Sequence, residues 1–378
     1  MLIKILKLIK FFCLRLRGKI VFGPPPASKI AILDENSHEW LIGLLSGQNF
    51  TIVGNPGDTF YLGIPVLRSF LKQVFKSEHP AVAYAIAQID CIKPKIVVTI
   101  IDNSEFFYEV SRHCKGPRFL AIQNANRVDT VFLPPAKARK IHIPEYACYG
   151  EYERDLYLAK GASVGRFYPV GSLRDALYRA TKRADDTAKP YDVCVVSEGG
   201  PGADQAWFPG IERSMILILE HALRFCEERN LRLCVAGKRP DSPHFEIEKE
   251  WIVRNLGREI EVIRPRRYEF TTWQMIDRSK ISLAQCSTAL REGMGRGNRV
   301  LFCNYSDNAN LDFPVDGIWF LKDASYDAFE RRMLALLAMS DADFQKAAAE
   351  TTRYIINYDP ANPTTRFLSG LIAEAVAG

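Results

Sequence analysis

The stretch "SKISLAQCSTALREGMGRGNRVLF" (residues 279–302) decides how the chain is read. "KISLAQ" (280–285) is a run of strand-forming residues, and Cys286-Ser287-Thr288 is a turn. A short helix carrying Glu292 follows, stopped by Gly-Arg-Gly (295–297), and "RVLFCNY" (299–305) is a second strand. This is the pattern of a βαβ crossover. Ser287 and Thr288 fall at the N-cap, where hydroxyls and free backbone N–H groups can accept a phosphate alongside the positive end of the helix dipole. Glu292 lies four residues past Thr288 on the same helix face, where a carboxylate can receive two hydrogen bonds from the vicinal hydroxyls of a ribose. An ordinary cap with a solvated first-turn acid fits as well, and this segment alone leaves both readings open.

The same alternation extends outward in both directions. "YDVCVVSEG" (191–199), "LRLCVAGK" (231–238), "EIEVIRP" (259–265) and "GIWFLK" (317–322) read as strands, with amphipathic helices over 213–230 and 268–279. Upstream, "KIAILDE" (29–35), "FTIVGN" (50–55), "KIVVTIID" (95–102) and "RFLAIQ" (118–123) are apolar strands separated by helical spacing. Continuous apolar strands are buried on both faces, so the expected fold is α/β, with two doubly wound Rossmann-like domains facing across a cleft. The expected division is an N-terminal domain over 23–172, a polar linker over 173–190 and a second domain over 191–355. A broken helical tail over 356–378 is expected to cross back to the first domain.

Residues 1–22 stand apart. Leu2, Ile5, Leu6, Ile9, Phe12, Cys13 and Leu16 share one helical face, with Lys4, Lys7, Lys10, Arg15 and Arg17 on the opposite one. That pattern suggests an interfacial helix on an anionic cytoplasmic leaflet, the other reading being a helix packed on its own domain or on a partner subunit. No apolar run is long enough to span a bilayer. The nine cysteines include no Cys-x-x-Cys pair and several lie in strand-like runs, so free thiols in a reducing compartment are expected, at the inner face of the membrane. A formal charge of +6, with no dense basic block interleaved with aromatics, disfavours nucleic acid.

In doubly wound sheets ligands bind beyond the carboxyl ends of the strands. In the second half those ends carry Ser197, Glu198 and Gly199 in a Gly-rich loop, and Lys238 and Arg239, whose charges can neutralise a phosphate. In the first half they carry Asp34, Glu35 and His38, Asp102 and Asn103, and Gln123, Asn124 and Arg127. Amides there suit a polyhydroxylated ligand, and a carboxylate is placed to act as general base. Capping of the following helices explains the same residues equally well locally.

Taken together, the segment 268–305 resembles the nucleotide-binding segment of GT-B glycosyltransferases. More narrowly, "IQNANR" (122–127) and "INYDPANPTTRFLSGLI" (356–372) resemble motifs of bacterial surface carbohydrate biosynthesis proteins, in order over roughly 29–372. The resemblance implies a glycosyltransferase moving a sugar from a nucleotide-activated donor, CMP- or UDP-linked, to a lipid-linked or growing surface polysaccharide. Ser197, Glu198, Gly199, Lys238, Arg239, Ser287, Thr288 and Glu292 would bind the nucleotide. His38, Asn103, Gln123, Asn124 and Arg127 would bind the acceptor, and Asp34, Glu35 and Asp102 are the candidates for catalysis. No Asp-x-Asp motif stands in a suitable place, so no metal or other cofactor is expected. The alternatives are a nucleotide-sugar 2-epimerase or glycerophosphotransferase on the same architecture, and a non-catalytic membrane-associated scaffold.

Overall fold

The structure, a computed structural model, describes residues 2–15, 18–33, 39–54, 59–75, 79–127, 129–132, 135–182, 188–202, 209–267 and 269–378. The chain forms two compact units. One comprises 1–124, 131–177 and 358–378; the other comprises 125–130 and 178–357.

In the first unit the order is α1 (Leu2–Arg15), β1 (Lys19–Val21), β2 (Ile30–Leu33), α2 (Glu39–Leu44), β3 (Phe50–Val53), β4 (Thr59–Tyr61), α3 (Ile64–Val74) and α4 (Pro80–Ile92). Then come β5 (Ile96–Thr99), α5 (Glu105–His113), β6 (Arg118–Ile122), α6 (Pro135–Ala138), β7 (His142–Cys148), α7 (Glu151–Ala159), β8 (Ser163–Pro169) and α8 (Leu173–Thr181). Six strands form one parallel sheet in the order β3-β2-β5-β6-β7-β8, and β1 pairs with β4 apart from it. β2 and β5 are buried along their whole length, as strands covered by helices on both faces must be.

The second unit runs β9 (Tyr191–Val196), α9 (Ile211–Glu228), β10 (Leu233–Ala236), α10 (His244–Leu256), β11 (Val262–Ile263), α11 (Thr271–Asp277), β12 (Ser279–Ala284), α12 (Thr288–Gly295), β13 (Arg299–Cys303), β14 (Phe320–Leu321), α13 (Tyr326–Ala338) and α14 (Asp341–Ile355). Its sheet is parallel, in the order β11-β10-β9-β12-β13-β14. Counted within the unit that is 3-2-1-4-5-6, the dinucleotide-fold order, with its switch point between β9 and β12. α9 shows why the helices settle here. Ile211, Met215, Ile218, Leu219, Ala222, Phe225 and Cys226 recur at helical spacing and are all buried.

Several boundaries differ from those the sequence suggests. The N-terminal helix stops at Arg15, and Lys19–Val21 is a strand paired with Thr59–Tyr61, not a continuation of the helix to residue 22. The expected linker begins as α8, whose first part belongs to one unit and whose end, from Tyr178, belongs to the other. β11 and β14 are two residues each, shorter than the segments 259–265 and 317–322 expected as strands. α15 (Thr364–Ala377) returns to the first unit, where Leu368 and Ile372 are buried among Ile30, Ile96 and Leu120.

α1 packs on its own unit. Phe11 is buried, stacked on Phe70 with ring centroids 6.0 Å apart and edge-on to Phe60 at 6.2 Å, and Leu8 and Phe12 lie against the same cluster. Phe11→Ala is therefore expected to destabilise the first unit by about 3–5 kcal/mol, read as a lowered urea midpoint with unchanged slope. Among the described residues, no helix is long and apolar enough to cross a membrane.

Candidate functional site

At the switch point the carboxyl ends of β9 and β12 lie side by side, Leu283 in register with Val195. Glu198, just past β9, bridges them: its carboxylate accepts from the Cys286 backbone N–H at 2.7 Å and faces the Cys286 Sγ at 3.4 Å. Burial pushes the Glu198 carboxyl up, partly offset by the Cys286 N–H and Lys238. Burial and the neighbouring Glu198 carboxylate raise the Cys286 thiol well above its ordinary value, so it is held as the thiol. The Lys238 ammonium, at the end of β10, donates to the Glu198 carbonyl at 2.7 Å. These contacts bring three strand ends together.

Glu248 on α10 organises the same ends from below. Its buried carboxylate accepts from Ser197 Oγ, from the Lys238 N–H at 3.0 and 3.1 Å, and from the Arg239 N–H at 3.0 Å. Gly199 donates its N–H to Ser197 Oγ at 3.3 Å and sits at φ +120°, a conformation that favours glycine. Lys238 and Arg239 keep exposed side chains while their backbone is fixed.

Ser287 caps α12, its Oγ accepting from the Leu290 N–H at 3.4 Å. Asn126 fixes this turn. Its N–H donates to Thr288 Oγ1 at 3.0 Å, its Nδ2 donates to the Cys286 carbonyl at 2.9 Å, and its Oδ1 accepts from Arg291 at 3.4 Å. Residues 125–130 thus belong with the second unit, and Arg127, expected on the acceptor side, is buried there and donates to the Asn126 carbonyl at 3.1 Å. Glu292 is not a solvated first-turn acid. It is fully buried, and its Oε2 accepts from the Trp273 indole N–H at 2.7 Å.

The first-unit candidates fall differently. Asp34, Glu35 and His38 lie outside the described residues. Asp102 is fully buried, one oxygen accepting from the Tyr146 hydroxyl at 2.7 Å and the other from the Asn124 N–H at 3.2 Å. Gln123 accepts from the Tyr149 N–H at 2.8 Å and donates to Glu153 at 3.1 Å; the Asn124 carbonyl accepts from Arg174. These contacts hold the ends of β5, β6 and β7 together. Asn103 is exposed at the end of β5. Glu248 and Asn126 were not singled out as site residues from the sequence. Glu248 has no local signal, because its partners lie 9 to 51 residues away; Asn126 stands in "IQNANR", but the side-chain partners that fix its role lie 160 to 165 residues away.

No protein-family model matches the chain, and no curated protein matches it in sequence. Solved structures do match. A glycosyltransferase from Rickettsia africae superposes with a TM-score of 0.52 at 12% identity, over 93% of this chain and 99% of that one. The wall teichoic acid polymerase TagF gives 0.51 at 8%, over 92% and 89%. The UDP-GlcNAc 2-epimerase of Methanocaldococcus jannaschii, solved with UDP-GlcNAc and UDP, gives 0.50 at 11%, over 92% and 99%.

The fold is GT-B. Its two Rossmann-like units account for both parallel sheets, and in the second the ligand crevice expected of such a sheet is the β9–β12 switch point just described. The GT-B fold hosts more than one chemistry, as the transferase, polymerase and epimerase names of these three structures show, so the reaction has to be argued from the residues.

Proposed function

We propose that this GT-B protein transfers a sugar from a nucleotide-activated donor, CMP- or UDP-linked, to a lipid-linked or growing surface polysaccharide. The observation that carries this is the convergence of Glu198, Lys238 and the Ser287-capped turn at one switch point. Lys238, Arg239 and the start of α12 supply positive potential for a diphosphate or departing phosphate, which lets the site work without a metal ion. Ser287 and Thr288 meet the phosphate, and Glu292 meets the ribose. Because Glu292 is bonded to Trp273, ribose binding exchanges the indole N–H for a ribose hydroxyl. With Asp102 committed to Tyr146 and Asn124, the proposed base is Asp34 or Glu35.

The test is thermal stabilisation by UDP, CMP, GDP and ADP, with and without magnesium, together with Trp fluorescence. We expect one nucleotide to raise the melting temperature without magnesium and to change the fluorescence. Lys238→Ala and Glu292→Gln should each weaken that nucleotide by about tenfold, as expected for loss of a charge-assisted hydrogen bond. No shift with any nucleotide would favour the scaffold reading. Conversion of a free nucleotide sugar without acceptor would favour the epimerase, the activity named for the M. jannaschii structure of the same fold.

A further inference from the structure

α3 is divided lengthwise into three sectors. Val66, Phe70 and Val74 face the cluster that includes Phe11, Phe60 and Tyr84. The adjoining sector carries Ile64, Leu67 and Leu71, and is continued by Phe75 just past the helix end. These are large apolar side chains, yet Ile64 is 76% exposed, Leu71 60% and Phe75 79%. Beyond them lie Arg68 and Lys72, both exposed.

Phe22, 87% exposed, extends the stripe past the start of the helix. The Leu62 N–H donates to the Val21 carbonyl at 2.8 Å and the Gly63 N–H to the Gly23 carbonyl at 3.1 Å, which ties the backbone on either side of Phe22 to the two residues before α3. A side chain at Gly63 would put its Cβ 2.6 Å from the Gly23 carbonyl carbon, so glycine is what permits this approach. An exposed apolar row of this length, bordered by basic residues, is uncommon on a surface that meets only water.

The charge pattern selects the occupant. A second copy meeting the stripe across a two-fold axis would set Arg68 and Lys72 against their own equivalents. An anionic bilayer instead accepts the apolar row among its acyl chains and the cations at its headgroups, and Lys7 and Lys10 on the neighbouring α1 are exposed too. We propose that the first unit docks on anionic lipid through Phe22, Ile64, Leu71 and Phe75, with Arg68 and Lys72 at the headgroups. The docking surface is then α3; on α1, Phe12 of the face expected from the sequence to enter the membrane is taken up by its own unit together with Leu8 and Phe11, while Ile9 and Cys13 of that face are exposed. This does not rest on the transferase reading.

Flotation of the full chain with phosphatidylcholine vesicles, and with phosphatidylcholine–phosphatidylglycerol vesicles, tests it. Wild type should float with the mixed vesicles, and added salt should release it. Leu71→Ser/Phe75→Ser should weaken binding by about tenfold or more. Arg68→Glu/Lys72→Glu should do the same on mixed vesicles, where each basic residue near the surface is worth about fivefold. All four residues are exposed, and circular dichroism verifies that the variants fold. Wild type that does not float with mixed vesicles, or variants that float as wild type does, would overturn the proposal. So would an apolar variant that floats normally but changes from dimer to monomer by light scattering, which would assign the stripe to a second copy.

Discussion

Asp277→Ala is expected to destabilise the second unit by about 3–5 kcal/mol, because it removes a carboxylate paired to a buried cation. Asp277 ends α11 and accepts from four donors. One oxygen takes Arg296 Nε at 2.9 Å and Asn298 Nδ2 at 2.7 Å; the other takes the Tyr178 hydroxyl at 2.9 Å and Lys182 Nζ at 2.7 Å. The Arg296 side chain is almost wholly enclosed, so water cannot replace the carboxylate that the substitution removes. Urea unfolding measures the loss, and Asp277→Ala/Arg296→Met should recover part of it by removing both charges. Burial alone would raise the Asp277 carboxyl, but Arg296 and Lys182 overcome it and hold the group below its ordinary value. A depressed carboxyl contributes stability that is present above its unfolded pKa of 3.8 and is lost as pH falls through the lower folded value. Wild type should therefore lose this contribution below pH ~4, and the Asp277→Ala variant should show a shallower acid dependence there.

Glu248→Ala should be the most damaging change near the proposed donor site that replaces none of the residues proposed to meet the nucleotide. The carboxylate holds the ends of β9 and β10 through a hydroxyl and two backbone N–H groups, and its removal leaves those donors unmatched, at about 2–4 kcal/mol. The Lys238 ammonium would then lose its fixed approach to Glu198, so nucleotide affinity should fall by about tenfold or more alongside stability. Glu248→Gln keeps an acceptor for the backbone groups and should lose less of both. Calorimetric titration with the nucleotide that stabilises wild type, run beside urea unfolding, separates the two effects. Unchanged affinity in a variant that is destabilised would show that Glu248 supports the fold and not the site.

The sheets could be read from sequence because strands buried on both faces are nearly uninterrupted apolar runs, as at Ile30–Leu33 and Val300–Cys303. Edge strands could not be measured that way. The strands expected over 259–265 and 317–322 extend past β11 and β14, but pairing with one neighbour ends after two residues. "GKIVFG" reads as a helix tail because nothing in it announces that Thr59–Tyr61 will pair with it. At the site, the Ser287 cap was visible because capping is a local property of a turn. The burial of Glu292 was not, since it depends on Trp273 arriving from a different helix. Asn126 looked like part of a first-domain amide motif, and only folding shows that its hydrogen bonds close the Ser-Thr turn of the second unit.

α15 has a consequence for how the chain is made. Leu368, Leu371 and Ile372 complete the core around Ile30, Ile96 and Leu120, but they follow the whole of residues 178–357 in the chain. During synthesis the first unit emerges early with one face of its sheet covered only in part, by α2 and the start of α8. It must wait for the second unit to be translated before that face is closed. For that interval the apolar side chains under α15 are open to mispairing, which makes the first unit, though it leaves the ribosome first, the later of the two to finish folding.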